Sequence, residues 1–120
     1  MKAVALTHYL PIENPEALFD VELEKPRPAS HDILVNVKAV AVNPIDTKVR
    51  RSKDTVEETP RVLGYDASGV VEAVGPEVTI FKPGDDVYYA GDITRSGTNQ
   101  EFQLVDARIV GNKPKSLTHA

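Results

Sequence analysis

The sequence contains no cysteine and no tryptophan, and only 1 methionine. Without cysteine there is no disulfide framework, thiolate zinc cluster, iron–sulfur site or cysteine nucleophile among these residues. Long apolar runs are also missing, so no transmembrane helix is expected. Met1 to Leu10 carries one lysine and no long apolar stretch ending in a small-residue cleavage site. It does not read as a secretory signal. Nor is there an excess of positive charge. Lys and Arg number 14 against 18 Asp and Glu, a formal net charge of -4. Attraction to nucleic acid or to an anionic membrane surface is therefore not expected. A cytoplasmic location is the expectation.

Several catalytic and cofactor motifs are missing as well. None of the 7 glycines is spaced as G-x-G, so there is no dinucleotide fingerprint. Gly64 and Gly69 have phosphate-loop spacing, but Val70 follows where a lysine is needed. There is no G-x-S-x-G elbow and no H-E-x-x-H. His8, His31 and His119 lie far apart without ligand spacing and read as solvated or turn histidines.

What remains is a chain of 120 residues, about one domain, with 41% apolar and 27% charged residues. It has 9 prolines, which suit short segments joined by set turns. Lys2 to His8 reads as a strand. Phe19 to Lys25 alternates cleanly, with Phe19, Val21 and Leu23 on one face, before Pro26 and Pro28 break pairing. Asp32 to Val42 is the strongest strand. Its far end, at Val40 and Val42, is expected to be buried on both faces. Leu63 to Val74 reads as a second long strand with two interior glycines. Asp86 to Ala90 and Gln100 to Val105 read as two more. Ser52 to Pro60 and Gly91 to Asn99 read as polar loops, and Ser116 to Ala120 as the start of a helix. Five to seven short strands with one short helix predict a barrel or sandwich.

The helix is written at 43–50. Asn43 is a good N-cap, Pro44 sits at the first helical position, and Asp46 lies where the positive helix end favours an acid. Such an acid is a poor proton donor, so Asp46 reads as structural, with a role in orienting Lys48, Arg50 or a water left open.

Three ordered strings now stand out: N-P-I-D-T-K-V-R at 43–50, L-G-Y-D-A-S-G-V-V-E-A-V-G at 63–75, and F-K-P-G-D-D-V-Y-Y-A at 81–90. Together they resemble the N-terminal half of medium-chain dehydrogenases/reductases. The nearest likeness is to the zinc-free quinone oxidoreductase branch, which includes proteins named zinc-type alcohol dehydrogenase-like. The resemblance runs from Met1 to the end. It implies a mainly β, GroES-like, partly open β-barrel over 1–120, the catalytic domain of such enzymes. In the family a Rossmann domain follows and carries the glycine-rich NADPH site. That domain is expected beyond Ala120, so the chain reads as a fragment of a full-length protein, which is expected to be a homodimer. In zinc members a cysteine stands where Asn43 is, and a His-Glu pair stands where Tyr65-Asp66 is. A four-cysteine lobe would follow the Pro83-Gly84-Asp85 turn. Only Asp66 matches a ligand type, and one carboxylate cannot hold zinc.

The resemblance brings Asn43, Pro44, Lys48 and Tyr65 to the cofactor cleft, with Asn43, Lys48 and Tyr65 as the catalytic set. Each also has a plainer reading. Asn43 serves as a helix cap, Lys48 as a solvated cation, and Tyr65 as core. Gly64 and Gly69 read as backbone bends, Asp85 and Asp86 as turn residues, and Arg95 as an exposed loop arginine that could line a substrate mouth. The leading expectation is the substrate-side half of an NADPH-dependent, zinc-free reductase of quinones or α,β-unsaturated carbonyls. The substrate is then a small molecule. The alternatives are a stand-alone GroES-like binding module, disfavoured by the polar loops at 52–60 and 91–99, and a crystallin-like structural role.

Overall fold

The computed structural model describes all of residues 1–120. Its elements in order are β1 (Lys2–His8), β2 (Phe19–Glu22), β3 (Asp32–Ala41), α1 (Pro44–Arg50), β4 (Val56–Val62), β5 (Asp66–Val74), β6 (Asp86–Ala90), β7 (Phe102–Asp106), a 3-10 turn at Ala107–Ile109, and β8 (Gly111–Asn112). All pairings are antiparallel. One sheet has the order β2-β1-β4 and the other β7-β3-β5-β6-β8. The result is the expected mainly β, partly open barrel with one short α-helix. No helix is long and apolar enough to cross a membrane.

Alternation builds the larger core. Ile33 and Val35 of β3, Ala67 and Val71 of β5, Val87 and Tyr89 of β6 and Val105 of β7 pack together. A smaller cluster of Leu6, Val49, Leu63 and Tyr65 joins α1 to β1 and to the approach to β5. The β3–β5 ladder slips register at Leu34/Val35 and again at Val37/Ala39. Gly69 lies at the second slip, where an added Cβ would collide with the Asn36 carbonyl oxygen. Close backbone approach, not flexibility, requires that glycine.

Some expectations need correction. β2 stops at Glu22, short of Lys25. Residues 56–60, read as part of the polar loop Ser52 to Pro60, belong to the edge strand β4 beside β1. An edge strand needs only one paired side, so it carries Glu57, Glu58 and Pro60 without penalty. β5 starts at Asp66, because Gly64 has φ +95 and turns the chain before pairing begins. Val40 and Val42 are 44% and 78% exposed, so the end of β3 is not enclosed. The segment 116–120 is not helical.

Candidate active site

The site begins where β3 ends. Asn43 stays extended, with φ -129 and ψ 164, and the helix starts at Pro44. Asp46 Oδ2 accepts the Asn43 backbone N–H at 2.7 Å, the reciprocal arm of a capping box. The Asn43 side chain has a different use. Its Nδ2 donates to Asp66 Oδ2, at the start of β5, at 2.6 Å. A carboxylate only accepts, so this bond fixes which way the amide faces. Two carboxylates therefore clamp Asn43, one at the backbone and one at the side chain. The second Nδ2 hydrogen of Asn43 is not used by this bond. Pro44 and Lys48 are exposed beside it.

Asp66 also lines a hollow of about 440 Å³, mostly apolar, with Ala39, Val40, Ala41, Ala67 and Tyr88. The Asn43–Asp66 pair thus stands at the rim of an apolar recess.

Tyr65 is only 4% exposed and packs in the cluster with Leu6, Val49 and Leu63. Its hydroxyl is enclosed and has no hydrogen-bond partner, and the same is true of Asp46 Oδ1. Burial pushes the Tyr65 phenol above its ordinary pKa; the Asp46 carboxylate adds to the rise, while the Arg61 guanidinium opposes it. In this arrangement the Tyr65 hydroxyl is covered within its own cluster of side chains.

The sequence reading missed a linked set of four residues, Tyr9, Glu57, Arg61 and Lys53, which meets the Tyr65 cluster through Tyr9. The Tyr9 hydroxyl donates to Glu57, and Arg61 Nη1 donates to the Tyr9 oxygen at 2.8 Å. Lys53 lies 3.7 Å from Glu57. The bond from Tyr9 is the main reason the Glu57 carboxyl sits below its usual pKa. Burial is the main reason the Tyr9 phenol sits above its own. The available signal was the i, i+4 spacing of Glu57 and Arg61, which puts them on one face of a strand once 56–62 is read as one. Arg95 also departs from expectation. It forks onto Asp32 at 2.9 and 2.7 Å and pins the 91–99 loop to the start of β3.

The alcohol dehydrogenase GroES-like domain family matches residues 29–115. A zinc-type alcohol dehydrogenase-like protein of Staphylococcus aureus (strain Mu50) is 52% identical over 102 residues, covering 84% of this chain and 30% of that protein. A solved structure described as a suggested zinc-dependent alcohol dehydrogenase of Rhizobium etli CFN 42 is 60% identical. It has a TM-score of 0.95 and covers 100% of this chain and 35% of that one. Escherichia coli quinone oxidoreductase, solved with NADPH, is 26% identical with a TM-score of 0.84, covering 99% and 35%. The chain spans about a third of the length of these proteins. The likeness defines the class, the barrel domain of the medium-chain oxidoreductases. Within it, the chain belongs to the alcohol dehydrogenase GroES-like domain family.

The name zinc-type raises the question of a metal. No three His, Cys, Asp or Glu side chains gather here that could hold an ion. Asp66, which stands at a position of a metal ligand type in zinc members, is engaged by the Asn43 amide. The residues present do not fit zinc.

Proposed function

We propose that this chain is the substrate-side domain of an NADPH-dependent oxidoreductase that reduces quinones or α,β-unsaturated carbonyls without zinc. The observation that carries the reading is the Asn43–Asp66 hydrogen bond at 2.6 Å. It joins two positions where the resemblance puts metal ligands in zinc members. Asn43, Pro44 and Lys48 would face the nicotinamide, whose phosphates a second, glycine-rich domain outside this chain would hold. A homodimer in the cytoplasm is the expected setting. When bound, the reduced nicotinamide supplies a hydride.

The chain's residues act on the charge that hydride addition leaves behind. Reducing a simple ketone makes a localised, strongly basic alkoxide, which calls for a Lewis acid or a strong proton relay. Addition to the β-carbon of an enone makes a delocalised enolate instead, and addition to a quinone makes a hydroquinone anion. Both are far less basic, so hydrogen bonds suffice. The free Nδ2 hydrogen of Asn43 and the Lys48 ammonium would be the donors to such an oxygen. Asp66 holds the amide in position, and water supplies the proton that completes the reduction. The apolar recess beside Asp66 suits a flat conjugated ring. Removing one donor from such a site costs about 10²–10³ in rate.

The test compares substrates with the metal-free, full-length protein and NADPH. Cyclohexenone and phenanthrenequinone are expected to be reduced, and cyclohexanone poorly. Ethanol oxidation with NADP, or cyclohexanone reduction matching that of cyclohexenone, would overturn the proposal.

A further inference from the structure

Two enclosed polar atoms near the cleft lack partners, the Tyr65 hydroxyl and Asp46 Oδ1. Both belong to elements that meet where α1 packs on the Tyr65 cluster. Asp46 and Val49 share one face of α1, three residues apart, and Val49 packs against Tyr65. On the other side of Tyr65 stands Arg61. It pairs in register with Leu6 of the same cluster. Its Nη1 reaches Tyr9, which packs on that cluster too.

The donor inventory permits only one ordering of these groups. A guanidinium can only donate, and a carboxylate can only accept. A hydroxyl between them accepts from the first and donates to the second. The outer arm already has this form: Arg61 donates to Tyr9, and Tyr9 donates to Glu57. The inner arm has the same three group types, Arg61, Tyr65 and Asp46. Its hydroxyl lies near Arg61 but makes no hydrogen bond of full geometry at either end in this structure. Such bonds are often long in the free enzyme and tighten when the site fills. Leaving the buried groups apart costs about 1–3 kcal/mol each, which favours closure.

We propose that Arg61 is a positioning residue for the cleft. When the cleft is filled, Arg61 donates to the Tyr65 oxygen and the Tyr65 proton turns to Asp46 Oδ1. Asp46 is then held on the Asn43 backbone N–H, which its other oxygen accepts at 2.7 Å. The inference rests on the reading of Asn43 as a cleft residue.

The test uses the full-length protein with NADPH and phenanthrenequinone, and two readouts. Arg61→Gln and Tyr65→Phe are each expected to lower kcat about ten- to a hundredfold, with KM within a few-fold. The double variant should be no worse than Tyr65→Phe alone. Arg61→Lys, which can still donate, should recover much of the loss. Glu58→Gln, an exposed change on the same strand, should change nothing. Independently, hydrogen exchange at the Asn43 amide in the NADPH complex should speed up equally in Arg61→Gln and Tyr65→Phe. Additive losses in the double variant, or exchange unchanged in Tyr65→Phe, would overturn the inference. If the wild type reduces no quinone or enone, the functional reading fails while exchange still judges Arg61. If it does and Arg61→Gln matches it, the inference alone fails.

Discussion

Two tyrosines in this domain make opposite predictions for the same substitution. Tyr89 is 7% exposed, and its hydroxyl donates to Gln103 Oε1 at 2.6 Å. Gln103 is 3% exposed, and its Nε2 donates to the Ser96 carbonyl at 3.0 Å. The Tyr89→Phe change leaves a buried amide oxygen with no partner. The expected cost is about 1–3 kcal/mol, the desolvation penalty of an orphaned acceptor. The Tyr65 hydroxyl is equally enclosed but bonds to nothing. Its desolvation is already unrepaid in the free protein. Tyr65→Phe removes that penalty and leaves only the small void of one oxygen. The expected change runs from none to a gain of about 1 kcal/mol.

Urea unfolding of this chain followed by far-UV circular dichroism separates the two. A domain of this size unfolds with a slope of about 1–3 kcal/mol per molar urea. Tyr89→Phe should therefore lower the midpoint by about 0.5–1.5 M, with Tyr65→Phe at or above wild type. In a thermal scan each kcal/mol moves Tm by about 3–6 °C. A loss above about 1 kcal/mol in Tyr65→Phe would mean that its hydroxyl is already bonded in the free protein. An unchanged Tyr89→Phe would refute the accounting for buried partners. Combined with the turnover loss expected of Tyr65→Phe, a neutral or stabilising result would mark the hydroxyl as kept for function at the expense of stability.

Other outcomes follow from the same geometry. Asp66→Ala frees the Asn43 amide to rotate, so quinone reduction by the full-length protein should fall at least tenfold, read as kcat, with little change in the unfolding midpoint. Gly64→Ala puts a Cβ against Thr98 and Asn99 at φ +95, and should destabilise by about 1–3 kcal/mol in the same urea assay. The Arg108 guanidinium holds the Asp106 carboxyl well below the usual range. A depressed folded pKa gives stability that is present above the unfolded aspartate value, about pH 4, and lost as pH falls below it. Asp106→Asn should therefore flatten the decline in midpoint below about pH 4, leaving the neutral plateau lower than wild type.

Much of the barrel was legible because burial on one face imposes a period of two. β6 and β7 show it plainly, and these strands appear where alternation predicts them. The helix start was legible too, since Asn43, Pro44 and Asp46 each satisfy a separate need of a helix end. β4 was not legible. With one side unpaired and little burial, its residues follow no hydrophobic period, and composition alone makes it look like a loop. The exposure of Val40 and Val42 was misjudged for a related reason. A run of valines reports what the chain prefers to bury, not what covers it within these residues. For the site, the sequence pointed to Asn43, Lys48 and Tyr65 as candidates. It could not give the Asn43–Asp66 bond, which joins residues 23 positions apart. Nor could it foresee that the Tyr65 hydroxyl is sealed, because that depends on Leu6 and Val49 arriving from two other elements.

The strand that carries Glu57 and Arg61 is also an open sheet edge. An unpaired row of N–H and C=O groups is a template on which another chain can add a strand, the first step toward aggregation. Here Pro60 removes one donor from that row, and Glu57, Glu58 and Arg61 crowd it with charge. The residues that brace the cleft from behind thus also guard the rim against self-association. Neutralising several of them at once leaves the exposed Val56 on a smoother edge. Such a protein would be lost first from the soluble fraction, at high concentration, before any fault in its chemistry could be measured.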